Sequence, residues 1–168
     1  MLFRSDPSLA PATLTMAILA VLVAIASLLG HRSHTEEILL QNKATDQWGF
    51  YQAKNIRLHV DEFAASLMGV LETKDAEAAA KLKDKYGSEG ERYRDDLKEI
   101  QTDAKKLEDE IRSATDRANR FDLGEVFLEI GLVVTSITLL TRRKAFWYLG
   151  LVCAAVGVAA TGSGFLLH

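Results

Sequence analysis

Two long stretches without charged side chains constrain this chain more than any other feature. Residues 12–30 and 145–167 contain no Asp, Glu, Lys or Arg, whereas residues 31–122 hold most of the charged residues. A helix needs about 20 apolar residues to cross the ~30 Å hydrocarbon core of a bilayer. The pattern predicts membrane spans that flank a water-soluble arm, and it excludes a single soluble globule.

A third apolar stretch lies just before the second charge-free run. It carries Glu125 and Glu129 near its start, and the three basic residues 142–144 separate it from the last span. So short a gap predicts a helical hairpin in the membrane. The predicted organisation is a tail 1–11, a first span 12–30, an arm 31–122, a second span 123–141, a basic turn 142–144 and a third span 145–168.

The first span has one alternative interpretation. Ala24-Ile25-Ala26 resembles a signal-peptide cleavage site, but the apolar run is long and only Arg4 gives its leading segment a positive charge. We therefore expect a retained membrane helix.

The basic turn predicts the orientation. Short loops rich in Lys and Arg stay in the cytoplasm, so the arm should lie on the opposite side. Arg112, Arg117 and Arg120 flank the second span on that outer side and count against this orientation. We expect an arm outside the cytoplasm.

The return limb of the arm carries an unbroken seven-residue repeat. Apolar positions alternate in steps of four and three, which is the pattern of a left-handed coiled coil. Charged residues occupy the other faces of this limb. The positions are Tyr93, Leu97, Ile100, Ala104, Leu107, Ile111, Ala114, Ala118 and Phe121.

The outgoing limb has two adjacent faces. Its apolar stripe consists of Gly49, Ala53, Ile56, Val60, Phe63, Leu67 and Val70, and a second face carries Trp48, Tyr51, Asn55 and Leu58. Two faces provide more contact than one antiparallel partner needs, which favours self-assembly. Matched limb lengths favour a turn near Thr73 and Lys74, with Gly87 and Gly90 as a kink. The predicted fold class is an all-α membrane protein, with three transmembrane helices and a long antiparallel helical coiled-coil hairpin between the first and second.

A twelve-residue stretch carries a family resemblance. The sequence Asp46-Gln47-Trp48-Gly49-Phe50-Tyr51-Gln52-Ala53-Lys54-Asn55-Ile56-Arg57 resembles the signature D-x-W-x-x-Y-Q-A-K-x-I-K of a bacterial membrane-protein family, domain of unknown function 4337. Gly49, Phe50 and Arg57 are mild departures from it. The resemblance covers nearly the whole chain and implies this architecture and a bacterial cytoplasmic (inner) membrane, so the arm would be periplasmic. It implies no activity.

Polar residues of this stretch form a candidate interaction face. Helical steps of three and four bring Trp48, Gln52, Asn55 and His59 close together, and Tyr51 lies beside them. They could bind a partner, a quinone-like ring or a lipid headgroup. The simpler interpretation is a polar seam that sets helix register, as a buried Asn does in coiled coils.

The membrane carboxylates are a second candidate site. Glu125 and Glu129 share one face of the second span, and intramembrane carboxylates are functional candidates. Alternatively they lie at the headgroups, with Glu129 paired to Arg32 or His31. His31, His34 and Glu37 lie near the end of the first span. We expect no metal centre there, because nothing supplies a strong third ligand beside the two histidines.

No catalytic or cofactor-binding motif stands out. There is one cysteine, Cys153, in an apolar span, and no nucleophile elbow or phosphate loop. A net charge of -3 with mixed signs disfavours binding to nucleic acid.

We expect a non-enzymatic scaffold that takes no cofactor and contacts membrane lipid. It should form a homo-oligomer through its arm and through small-residue ridges. The alternatives are an accessory subunit of a larger respiratory or transport complex and a small channel with Glu125 and Glu129 at its mouth. The ridges are Ala17, Ala20, Ala24 and Ser27 in the first span, and Gly150, Ala154, Gly157 and Thr161 in the third.

Overall fold

The structure, a computed structural model, describes residues 9–70 and 75–166. It contains three helices, α1 (Ala10–Val70), α2 (Ala76–Thr141) and α3 (Lys144–Gly164). Pro11 lies in the first turn of α1, where its missing N–H leaves no intrahelical bond unmade. The predicted all-α class is confirmed for the part of the chain that the structure describes.

Each helix contains a stretch that is long and apolar enough to cross a membrane, judged by length and composition. The predicted spans fall one in each helix. The connection between α2 and α3 consists of Arg142 and Arg143, since Lys144 already belongs to α3. Arg142 has a positive φ of 55°, and its N–H donates to the Thr138 carbonyl at 2.8 Å. A residue in this left-handed conformation is a common way to end a helix.

The chain divides into two compact units. The three-helix unit comprises the described residues up to Ile38 and from Ile111 onwards, and it contains the predicted spans. The two-helix unit comprises residues Leu39–Glu110 and contains most of the predicted arm. Each unit is described separately below.

In the three-helix unit, α1 contributes one narrow buried face. Ala12, Leu19, Ala26 and Ser33 are spaced by seven residues, and none is more than 7% exposed. Leu19 and Ala26 form a core cluster with Leu128 of α2 and Ala154 of α3. The Trp147 Nε1–H of α3 donates to Thr15 Oγ1 of α1 at 3.1 Å.

In the same unit, α2 and α3 approach each other through glycines. A Cβ added at Gly131 would lie 2.9 Å from the Gly150 carbonyl oxygen, and one added at Gly157 would lie 2.9 Å from the Gly124 carbonyl oxygen. Backbone atoms cannot move aside as a flexible side chain can, so these positions require glycine. The small-residue ridge predicted for the third span therefore packs against α2 of the same chain, with Gly150, Ala154 and Gly157 buried.

In the two-helix unit, the buried positions of α2 follow the predicted repeat. Leu97 and Ile100 are 7% and 6% exposed, and Ala104 is fully buried. Leu58 of α1 faces α2, because a Cβ added at Gly90 would meet its Cδ1 at 3.5 Å. The helix α2 runs through Gly87 and Gly90 without interruption. The predicted turn at Thr73 and Lys74 lies outside the described residues.

Candidate functional site

The predicted interaction face is split by the structure. Three of its members, Trp48, Tyr51 and Asn55, are half-buried on the side of α1 that meets α2. Trp48 Nε1–H donates to Glu108 Oε1 at 2.9 Å. The Trp48 and Tyr51 rings make an edge contact with centroids 5.5 Å apart. Trp48 therefore takes part in the contact between the two helices, and the Tyr51 ring packs beside it.

The other two members of the predicted interaction face lie on the exposed surface of α1. Gln52 and His59 are exposed. His59 Nδ1 lies 3.4 Å from Glu62 Oε2, one helical turn further along α1. Gln52 and His59 thus lie outside the α1–α2 contact.

Among the described residues of the two-helix unit, ion pairs join α1 to α2. Lys54 pairs with Asp96, and Glu62 pairs with Arg94. The hydrogen bond from Arg94 holds the pKa of the Glu62 carboxyl below its ordinary value, and His59 acts in the same direction. Trp48 contacts residue 108, Lys54 residue 96 and Glu62 residue 94, so the α2 partners descend as α1 ascends. The sequence did not identify Glu108, Asp96 or Arg94 as partners of these α1 residues, which are 32 to 60 residues away from them.

The apolar stripe of the outgoing limb faces away from α2. We call its five large residues, which are spaced by four and three, the outer stripe. Both aliphatic and aromatic members are exposed to an extent unusual for side chains outside a lipid environment. A Cβ added at Gly49, which lies on the same face, would meet no atom within 4 Å. The outer stripe consists of Ile56 (65% exposed), Val60 (58%), Phe63 (66%), Leu67 (40%) and Val70 (85%).

The carboxylates of the second predicted span differ in burial. Glu125 is half-buried, and Glu129 is exposed on the surface of the three-helix unit. Asp122 of α2 accepts a hydrogen bond from His34 Nε2 of α1 at 2.9 Å. Asp122 and His34 therefore lie at the same level along the two helices. Glu129 lies seven residues further along α2, about 10 Å deeper into the predicted span.

The predicted partners of Glu129 lie elsewhere. His31 and Arg32 are exposed. Within residues 9–70 and 75–166, no ion pair joins Glu129 to either of them. The pairs at this end of the unit join His34 to Asp122 and Arg117 Nη2 to Glu36 Oε2, the latter at 3.2 Å. A helical offset explains this, because Asp122 rather than Glu129 is aligned with the residues that follow the first span.

At this end of the unit, His34 forms a hydrogen bond with Asp122. The hydrogen bond to Asp122 is the main reason that the pKa of His34 is raised above its ordinary value of 6.5, and Glu37 adds to the effect. In the described part of the chain, no three His, Cys, Asp or Glu side chains are grouped so that they could hold a metal ion.

Over the residues that the structure describes, the chain is all-helical, and each of its three helices contains a stretch long and apolar enough to cross a membrane, judged by length and composition. The chain matches the family described as "Domain of unknown function (DUF4337)" over residues 8–167, and it belongs to that family. No curated protein and no solved structure shows significant similarity to the chain. The family match over residues 8–167 confirms the predicted family resemblance.

Proposed function

We propose that this protein is a non-enzymatic scaffold of the bacterial inner membrane that self-assembles through its arm. In this proposal each helix crosses the membrane once. The two limbs of the arm form an antiparallel coiled coil on the periplasmic side. The protein works by holding copies of itself together and takes no cofactor.

The surface of the three-helix unit supports membrane insertion. Leu14, Val126 and Val133 are 64%, 50% and 61% exposed, which is unfavourable in water and ordinary against lipid tails. The Arg142–Lys144 turn would remain in the cytoplasm, with Phe146, Trp147 and Tyr148 at the interface beside it. The arm would then emerge on the other side of the membrane.

The contacts of the two-helix unit support the coiled coil. Heptad positions of α2 are buried, and the partners of successive α1 residues descend along α2. A seven-residue repeat with charges on the flanking positions is typical of coiled-coil packing.

The single observation that carries self-assembly is the exposure of the outer stripe. The inner face of α1 already provides the contact with α2, including Leu58 at 6% exposure. The outer stripe has the same spacing, is more apolar and remains uncovered. In an aqueous arm such a surface marks an interaction site.

Only one of the two predicted small-residue ridges remains available for contact between copies in the membrane. The ridge of the third span packs within the chain, so it is not available to a neighbour. Ala17, Ala20 and Ala24 of the first span are exposed and remain available for close helix contact.

Native mass spectrometry of the protein purified in mild detergent tests this proposal. We expect one homo-oligomer of defined size. A monomer at all concentrations would contradict self-assembly. Stoichiometric foreign subunits would instead support an accessory role in a larger membrane complex.

The periplasmic arm has its own test. Gly87→Cys in a Cys153→Ala background places a thiol where an added Cβ meets no atom within 4 Å. We expect an impermeant maleimide to label it in intact spheroplasts. Labelling only after membrane rupture would place the arm in the cytoplasm.

The exposure of Glu129 favours a second candidate, a small oligomeric channel. A lone ionised carboxylate on a lipid-facing surface is costly, by roughly 2–3 kcal/mol near mid-membrane. Neighbouring copies that surround a polar path would relieve this cost, with Glu125 near the mouth. Glu129→Gln that leaves the oligomer intact and alters cation flux into proteoliposomes would favour the channel. Unchanged flux would favour the scaffold.

A further inference from the structure

We infer that the outer stripe is the seam of a parallel helix pair formed by α1 of two copies of this chain. The inference rests on the proposed self-assembly and adds the face, the partner and the orientation. In this pair, the outer stripe of one copy contacts the outer stripe of the second copy, and each residue lies opposite the identical residue.

The spacing of the stripe identifies the occupant as a helix. Its five residues alternate in steps of four and three, and Ala53 and Gly49 continue the same row toward the first span. Such a row stays in contact with another helix over many turns, because a slight supercoil compensates for the difference between 3.5 and 3.6 residues per turn. A globular partner or a bilayer surface would not require an unbroken heptad.

Among the residues that the structure describes, no part of the chain covers the outer stripe. Its five large side chains are 40–85% exposed. A helix of a second copy would cover them.

The flanks of the stripe fit a second copy of the same sequence. In a parallel pair, a residue before one core position faces a residue five further along the partner. Gln52 would then face Arg57, and His59 would face Ala64. Neither pair places like charges together, so identical helices can meet without electrostatic cost.

The membrane would set the direction of the pair. Two copies in one bilayer share the orientation of the first span, and residue 49 follows that span more closely in the chain than residue 70 does. Corresponding residues of the stripe therefore lie at corresponding positions in both copies. An isologous two-fold interface of this kind closes on itself and yields dimers.

Disulfide trapping of the full chain in native membranes tests the inference. Ile56→Cys and Val70→Cys, each in a Cys153→Ala background, should each form a dimer under mild oxidation. A disulfide requires Cα atoms within about 7 Å, which only a parallel register gives at both positions. Asp95→Cys, at a side chain that is 79% exposed on α2, is the matched control and should stay monomeric.

Phe63→Asp provides a second measurement. Its side chain is 66% exposed in the single chain, so helicity should be unchanged. Assembly should weaken at least about tenfold in concentration, because a buried carboxylate is costly. Unchanged assembly with unchanged helicity would overturn the inference.

The other outcomes separate this inference from the proposed function. If only mixed Ile56→Cys and Val70→Cys samples cross-link, the pair is antiparallel and the inference is wrong. If neither cross-links while native mass spectrometry shows a homo-oligomer, the inference fails and the scaffold stands. A monomer in both experiments would refute both.

Discussion

The two units of this chain solve helix packing with different side chains. In the three-helix unit, α2 and α3 meet at Gly124, Gly131, Gly150 and Gly157, where backbone contacts backbone. In the two-helix unit, α1 and α2 meet through larger side chains and cross-linking ion pairs such as Lys54–Asp96. Lipid does not drive helices together by the hydrophobic effect, so close van der Waals contact must do so. In water, apolar burial and polar cross-links serve the same purpose.

The two units also differ in what an exposed apolar side chain is expected to contact. In the three-helix unit, Val133 is 61% exposed, and lipid is its expected neighbour. In the two-helix unit, Val60 is 58% exposed, and in the proposed aqueous arm a second copy would cover it. Four predictions on the packing and polar contacts of the two units are given from the largest expected effect to the smallest, and a final measurement compares their exposed apolar surfaces.

The inner contact of the two-helix unit should be the most sensitive. Ile100→Asp buries an unpaired carboxylate at a position that is 6% exposed, which should cost roughly 3 kcal/mol or more. Helicity and resistance to limited proteolysis of the arm should fall together. Val60→Asp, on the outer stripe, should retain both and lose only assembly. Equal loss of helicity in both variants would mean that the inner and outer faces are not distinct.

Glycine should matter in one unit and not in the other. Gly131→Ala should destabilise the α2–α3 contact by about 1–3 kcal/mol, because the added methyl meets the backbone of α3. Gly87→Ala in the two-helix unit should stabilise its helix by up to about 1 kcal/mol. Thermal unfolding in detergent, followed by circular dichroism, measures both. Gly162→Ala, with no atom within 4 Å, is the matched control in α3. A Gly131→Ala protein as stable as Gly162→Ala would contradict the close approach.

The tryptophan of the family signature should contribute modestly through its N–H. Trp48→Phe retains an aromatic ring and removes the donor to Glu108 Oε1, so the two-helix unit should lose about 1 kcal/mol. Chemical denaturation monitored by helicity provides the measurement. Trp48→Phe combined with Glu108→Gln should lose little more than Trp48→Phe alone. Full additivity would show that the two side chains do not interact.

The His34–Asp122 contact should give the smallest effect, and a pH-dependent one. Because the folded-state pKa of His34 is raised, its contribution to stability is complete below about pH 6.5 and is lost as pH rises through the folded-state pKa. An NMR titration of the His34 ring should show a pKa above 6.5. Asp122→Asn should lower this pKa toward 6.5, whereas Glu37→Gln should lower it less, because Asp122 makes the larger contribution. An unchanged titration in Asp122→Asn would exclude the contact.

Much of the fold follows from patterns within single helices. Two charge-free runs and a third, mostly apolar run predicted the three candidate spans. The spacing of Leu97, Ile100 and Ala104 predicted the buried face of α2. The heptad rule could not decide which face of α1 meets α2, because both faces have the same period. That choice depends on distant partners such as Glu108 and Asp96, which a local pattern does not contain. The same limit explains Glu129, whose position relative to α1 depends on an offset that only the assembled helices define.

The central claim is that apolar surface faces lipid in one unit and a second copy in the other. Spin labels at Val133→Cys and Val60→Cys, in a Cys153→Ala background in liposomes, test it directly, because the two positions are almost equally exposed in the single chain. Relaxation by oxygen reports lipid contact, and relaxation by a water-soluble nickel complex reports aqueous contact. We expect the label at residue 133 to be accessible to oxygen and not to nickel, and the label at residue 60 to be shielded from both. A label at residue 60 that is as accessible to nickel as one at Asp95→Cys would contradict the account.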